Sequence, residues 1–398
     1  MTTKHTFGLA MLLLGSYLPA QTSKSYTAVD LDSGDPIAYA TISLANQPEQ
    51  RTLSNENGGF SLPSHSSTDT LVFSHVSYGQ PRVAVADILG DTIRLRARDF
   101  TLDEVAIISE TGEEILRKVI KAIKKNHDFD KTAYFAQSWV TVTDLNGREL
   151  HAFFELDGST LWQQNLMKHT FAEMHTRTRS WTDLGKAWLK ETTVNELVWG
   201  SYYVGGGMPS YLLERPRKAF ENFNVDIAGT YQAGDYSVIR LELTPKQSPC
   251  ATSYTLHIDM DSYAIMRSQT RSNVEEYRNI SEYGCPFHPD FKIYRHEHEE
   301  RFIEIDGTWH RLYLKVTTQR FFQGQDIITE EFNLSQITEW DTAKQENASQ
   351  GMADILNAWM EPIAAFTIPW EDPYWQSRPS VPWPDWVAER LEAEGLAR

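Results

Sequence analysis

The chain has 398 residues, enough for two or three domains with a core each. Its 37 Lys and Arg stand against 54 Asp and Glu, and the net charge of −17 with no basic stripe excludes a nucleic-acid footprint. Two cysteines, Cys250 and Cys285, exclude a disulfide scaffold; they are either one long-range bridge or two unpaired thiols.

The N-terminus has a short polar start at Lys4 and His5, an apolar stretch from Thr6 to Tyr17, and the small residue Ala20 before Gln21. This is the three-part plan of a secretory signal peptide over residues 1–20. Its apolar run is too short to span a bilayer, and no other stretch is long enough, so no transmembrane helix is expected in the mature chain. No Cys follows the run, which argues against a lipoprotein anchor.

Residues 22–109 read as short strands separated by turns. Tyr26–Val29 precedes the turn Asp32–Pro36, Ile37–Leu44 alternates, and Asn55-Glu56-Asn57-Gly58-Gly59 is a strong turn signal. Thr70–Ser74 and Thr92–Leu95 are further strands. The series Asp30, Gly34-Asp35-Pro36-Ile37, Ala40-Thr41-Ile42, Asn55–Phe60 and Leu71–Tyr78, closing at Leu102-Asp103-Glu104-Val105, resembles the carboxypeptidase-regulatory-like domain. The resemblance covers roughly a fifth of the chain. Thr27 stands where the family has Gly, and Tyr78-Gly79 inverts its usual Gly-Tyr pair. The resemblance implies a seven-stranded Greek-key β-sandwich, similar to transthyretin and common in exported Bacteroidetes proteins. It implies an accessory module rather than peptidase activity. A zinc carboxypeptidase needs His-x-x-Glu and a distant third His; His296-x-x-Glu299 is followed only by His310, which is too close.

A connecting helix is expected over 111–127, with Thr111 and Glu114 as a capping box and Ile115, Leu116, Val119, Ile120 and Ile123 as a buried stripe. Residues 132–345 return to strands. Tyr134–Thr143 turns at Asn146-Gly147 into Glu149–Leu156, and Phe291–Ile305 turns at Asp306-Gly307 into Thr308–Thr318. Tyr236–Leu243, Ser253–Ile258 and Phe321–Phe332 add more, whereas Leu161–Arg217 carries a weaker, mixed pattern. Consecutive hairpins predict an antiparallel meander that curls. The fold class is therefore mainly β with minor α: a sandwich, a helix, then a larger antiparallel curled β-sheet or open-barrel domain. The pair Ser253–Ile258 and Tyr263–Ile265 resembles strands of exported Bacteroidetes proteins and of lipoprotein-carrier open barrels, which implies architecture and compartment but no reaction. The tail, 346–398, is rich in Pro and Trp and is expected to pack on that domain, with a short helix at Val387–Leu396.

The best metal candidate is His296, His298 and Glu300, which share one side of an extended strand; a solvated charged face explains the same pattern. His169, Glu173 and His175 form a weaker cluster, and Asp259 and Asp261 suit a turn better than a glycosidase pair. Gly205-Gly206-Gly207 lacks the ending of a phosphate loop, and no Gly-x-Ser-x-Gly elbow occurs. No catalytic residue and no cofactor are singled out, so enzymatic activity is left open and a non-enzyme is favoured. The sequence reads as an exported binding or structural protein of the periplasm or outer membrane, whose open β-structure would hold an apolar ligand or a partner segment. Its partner would be an envelope protein, a lipid or a glycan. The alternatives are an accessory of outer-membrane uptake or assembly, and an undetected hydrolase or metalloenzyme.

Overall fold

The computed structural model describes residues 24–62, 65–75, 78, 81–96, 109–127, 132–144, 146–147, 149–163, 170–183, 208–233, 236–246, 252–273, 293–305, 307–322, 325–336, 367–373, 375 and 381–396. Residues 1–20, which the sequence predicts to be a signal peptide, lie outside them, as do Leu102–Val105, Cys250, Cys285, His169 and Gly205–Gly207.

The first seven strands are β1 (Lys24–Asp30), β2 (Thr41–Leu44), β3 (Gln47–Leu53), β4 (Gly59–Leu62), β5 (Thr70–Ser74), β6 (Arg82–Ala84) and β7 (Thr92–Leu95). They form two sheets, ordered β4-β1-β7 and β3-β2-β5-β6. All pairs are antiparallel except β1 with β7. Alternating side chains (Tyr26 and Ala28; Leu71 and Phe73) meet between the sheets with Phe60, Ile42 and Ile93. Gly58, at φ +75°, brings its backbone close to Ala28 O, where a Cβ would sit at 2.2 Å.

Helix α1 (Gly112–Asn126) begins with the capping box: the Thr111 hydroxyl accepts from Glu114 N, and the Glu114 carboxylate accepts from Thr111 N at 2.7 Å. Beyond it run β8 (Thr132–Thr143), β9 (Leu150–Gln163), β10 (Thr170–Thr182), α2 (Met208–Glu214), α3 (Pro216–Asn222) and β11 (Phe223–Ala233). Strands β12 (Tyr236–Pro245), β13 (Thr252–Asp259), β14 (Ile265–Asn273), β15 (Ile293–Ile305), β16 (Thr308–Phe322) and β17 (Gln325–Gln336) follow, and α4 (Asp385–Ala393) ends the described chain. Strands β8 to β17 form one ten-stranded antiparallel sheet that is not closed into a barrel. The overall class is mainly β with few helices, as the sequence predicts.

The order differs from a simple meander. Strands β11 to β17 follow one another, and β17 then pairs with β8, from Thr329 with Thr143 to Gln336 with Ala136. The consecutive strands β10 and β11 therefore stand at opposite edges. Pairing between strands so distant in sequence is fixed by which edges meet on folding, which no local periodicity encodes.

The sheet is covered on both faces. On one face, Ile115, Leu116, Val119 and Ile123 of α1, with Met208, Leu212 and Ala219 of α2 and α3, pack on Leu241, Leu243, Leu256 and Ile258. This is called the helix face below. The opposite face meets the sandwich and the C-terminal tail, where Leu53 and Tyr39 join Trp139, Phe153, Tyr313, Val381, Trp383, Val387 and Leu391 in one core. Among the described residues no helix is long and apolar enough to cross a membrane.

Candidate functional site

Period-two alternation on β12–β16 separates two sets of side chains. On the helix face, the register lines up Leu241, Leu256, Ser268, Glu300 and Leu314 in one row, and Leu243, Tyr254, Thr270, His298 and Val316 in the next. On the sandwich face, one row is Arg240, His257, Arg267 and Arg301. The next is Glu242, Thr255, Gln269, Glu299 and Lys315, and the third is Ser253, Arg271, Glu297 and Thr317.

The second and third of these polar rows line a cleft of about 560 Å³, together with Tyr39 of the sandwich and with Thr270 and His298. Such a volume suits a small ligand. Glu299 is one of its lining carboxylates. Arg267 donates to both of its oxygens at 3.0 Å, Arg301 donates at 2.6 Å, and Gln269 adds a contact at 3.3 Å. Burial alone would raise the Glu299 pKa, but Arg301 and Arg267 outweigh it and hold the carboxyl down at about 2. Arg301 in turn stacks on the Tyr39 ring, 4.6 Å from its centroid, and Tyr39 packs on Tyr313 at 5.0 Å. Tyr39 has φ +60°, a conformation uncommon for a non-glycine residue, and its backbone N–H donates to Ser54 O at 3.0 Å. The sandwich therefore spends local backbone strain to place this ring at the sheet.

The other carboxylates of the cleft are also matched: Glu297 accepts from Arg271 at 3.1 Å, and Glu242 has Arg240 at 3.7 Å. Beside these rows, His257 shares a 2.6 Å hydrogen bond with Tyr231, and burial followed by repulsion from Arg267 lowers its pKa to about 4. At neutral pH Glu299 is ionised and His257 is neutral, so neither of these two shifted groups is poised to exchange protons near pH 7.

The residues singled out in the sequence as a metal set lie on β15. His298 and Glu300 share the helix face and are 3% and 2% exposed, so they are buried rather than solvated. The His296 side chain lies outside the described residues; its backbone pairs with Ser272 and Thr318. Glu300 accepts from the Arg311 guanidinium at 3.2 Å, in a pair with both partners buried. Burial, then Arg311, lowers the His298 pKa to about 3, and burial raises that of Glu300. Among the described residues, no three His, Cys, Asp or Glu side chains converge as metal ligands. Four buried atoms here (Ser268 Oγ, Thr270 Oγ1, His298 Nδ1 and Glu300 Oε2) have no hydrogen-bond partner. Elsewhere, Asp259 accepts from Ser262 N at 2.9 Å in the turn that the sequence predicts. Glu173 and His175 lie on β10, with side chains outside the described residues.

Sequence reasoning did not single out the cleft. Arg267, Gln269 and Arg271, then Glu297, Glu299 and Arg301, then Lys315 and Thr317 carry polar residues at every second position, and that alternation was the available signal. The cleft described has a mainly polar lining.

The sandwich and the two-faced open sheet define a mainly β protein with few helices. No family model matches the chain, and no curated protein is significantly similar to it. Solved structures show a distant likeness. A LolA-superfamily protein from Nitrosomonas europaea is 10% identical, with 58% of this chain and 95% of that chain covered and a TM-score of 0.22. A DUF1329-family protein from Desulfovibrio piger is 8% identical over 61% and 99%, with a TM-score of 0.26. A domain named for outer-membrane lipoprotein sorting, from Vibrio parahaemolyticus, is 11% identical over 60% and 98%, with a TM-score of 0.24. At these values the likeness fixes neither activity nor ligand.

Proposed function

We propose that this protein is a non-catalytic binding protein of the bacterial cell envelope, with its site in the cleft between the sandwich and the ten-stranded sheet. One observation carries the reading: a cleft of about 560 Å³ in which Arg267, Arg301 and Gln269 hold the Glu299 carboxylate, so that this hydrogen-bonding group is fixed in place before a ligand arrives. Preorganised, charge-matched groups favour holding a ligand over transferring a proton. The signal-peptide plan of residues 1–20 and the resemblance of 22–109 to an accessory module of exported proteins support the compartment. In this reading the sandwich is the wall that positions Tyr39 and Arg301.

The test is native mass spectrometry of the full chain purified from its own envelope fraction, beside Thr255→Trp, which fills the cleft floor. The expected result is a co-purifying ligand mass that disappears in Thr255→Trp at unchanged thermal stability. A ligand retained by the variant removes the cleft from the account. A bound ligand converted to a new mass on incubation overturns the non-catalytic assignment.

A further inference from the structure

Resting on the reading of the cleft as a binding site, we infer that its ligand is an uncharged, hydroxyl-rich oligosaccharide lying across strands β12 to β16. Three properties of the cleft select this chemistry.

The first is pairing. Glu242, Glu297 and Glu299 each face arginine, and Glu299 faces two. A charged ligand competes with these pairs for one of the partners, whereas a hydroxyl bonds to either partner and leaves the pair intact. The second is the mixture of hydrogen-bonding roles. Carboxylate acceptors on Glu242, Glu297 and Glu299 alternate with donors on Arg271 and Lys315, and with Ser253, Thr255, Gln269 and Thr317, which both donate and accept. A sugar hydroxyl also does both, so neighbouring hydroxyls meet neighbouring carboxylates, amides and guanidinium groups without proton rearrangement. The third is the grid. Neighbouring strands repeat at roughly 4.8 Å, and same-face residues along a strand at about 6.6 Å. Polar groups thus recur in two rows, one across five strands and one across four, which suits an extended chain of like units better than one compact ion. Apolar ligands are disfavoured because the lining is almost wholly polar and Tyr39 supplies the aromatic wall at the sandwich end.

The experiment presents the full chain to a panel of immobilised neutral oligosaccharides, acidic polyuronate oligosaccharides and fatty acids, with Gln269→Ala and Thr255→Trp as variants. Gln269→Ala removes hydrogen bonds without adding bulk and guards against misfolding of the larger substitution. Neutral oligosaccharides are expected to bind with an affinity that changes little from low to high salt, to weaken about tenfold in Gln269→Ala and to fail in Thr255→Trp. Binding confined to polyuronates and abolished by salt overturns the neutral-glycan assignment, as does binding confined to fatty acids. The two levels separate cleanly. A ligand of another class that still depends on Gln269 and Thr255 sinks the glycan while the cleft stands; binding that ignores both variants sinks the cleft with it.

Discussion

Four histidines in the described structure have pKa values driven down mainly by burial: His75 and His257 to about 4, His127 and His298 to about 3. His127 accepts a hydrogen bond from Ile265 N through Nε2 at 3.0 Å, so it is needed in its neutral form. The unfolded chain titrates these rings near the ordinary 6.5 and binds more protons than the folded one below that value. Stability is therefore full above pH 6.5 and declines as pH falls through 6.5 toward 4 and 3. Glu299, held at about 2, adds a further loss below about 4.5. Glu300, whose pKa is raised by burial, works in the opposite direction. Urea midpoints are expected to fall steadily between pH 6.5 and about 4, and a flat profile over that interval would contradict the four neutral histidines. Both faces of β15 thus carry titrating groups with fixed states. The alternation of His298 and Glu300 was legible in the sequence. Their burial was not, because it depends on which face of the sheet is covered.

Among the elements, α1 shows how far local signals reach. Thr111, Glu114 and the stripe from Ile115 to Ile123 were readable as a cap and a buried face, and both are present. The docking of that helix was not readable, and it turns on Gly112. A Cβ at Gly112 would lie 2.4 Å from Val225 O and 2.9 Å from Val225 C on β11. In an exposed helix, Gly→Ala would stabilise by roughly 0.5–1 kcal/mol. Here Gly112→Ala is expected to destabilise by about 1–3 kcal/mol, since the helix must lift from the edge strand. Chemical denaturation measures this, and a more stable variant would show that the close approach is absent. Strand β10, helices α2 and α3, and strand β11 lie where the pattern was weak or mixed, or where no element was expected. Gly147 and Gly307, by contrast, were legible as turn glycines, and both have positive φ between antiparallel paired strands.

For the whole molecule, the C-terminal tail is the element that joins sandwich to sheet. Asn55 of the sandwich donates to Trp383 O at 3.2 Å, and Asn57 donates to Asp385 at 2.8 Å. Gln137 on β8 accepts from Val381 N at 2.8 Å and donates to Glu155 at 2.7 Å. Glu155 pairs with Arg179 at 2.6 Å, and the Arg179 guanidinium lies within 5.0 Å of the rings of Trp370, Trp375 and Trp383. Trp383 belongs to the core shared by sandwich, sheet and tail, so Trp383→Ala is expected to cost about 3–5 kcal/mol. It is also expected to split one calorimetric transition into two as the sandwich uncouples; a single shifted transition would mean that the sandwich is held by other contacts.

The sequence by itself determined many of the strands and several turns, the helix α1 with its cap, and the mainly β class, because alternation, caps and turn glycines act over a few residues. The tertiary structure alone decided that β17 pairs with β8, that the tail seals a three-part core, and that Glu299 meets Arg267, Arg301 and Gln269. Those contacts join residues far apart in the chain, and their energy exists only once burial has chosen which edges and faces meet.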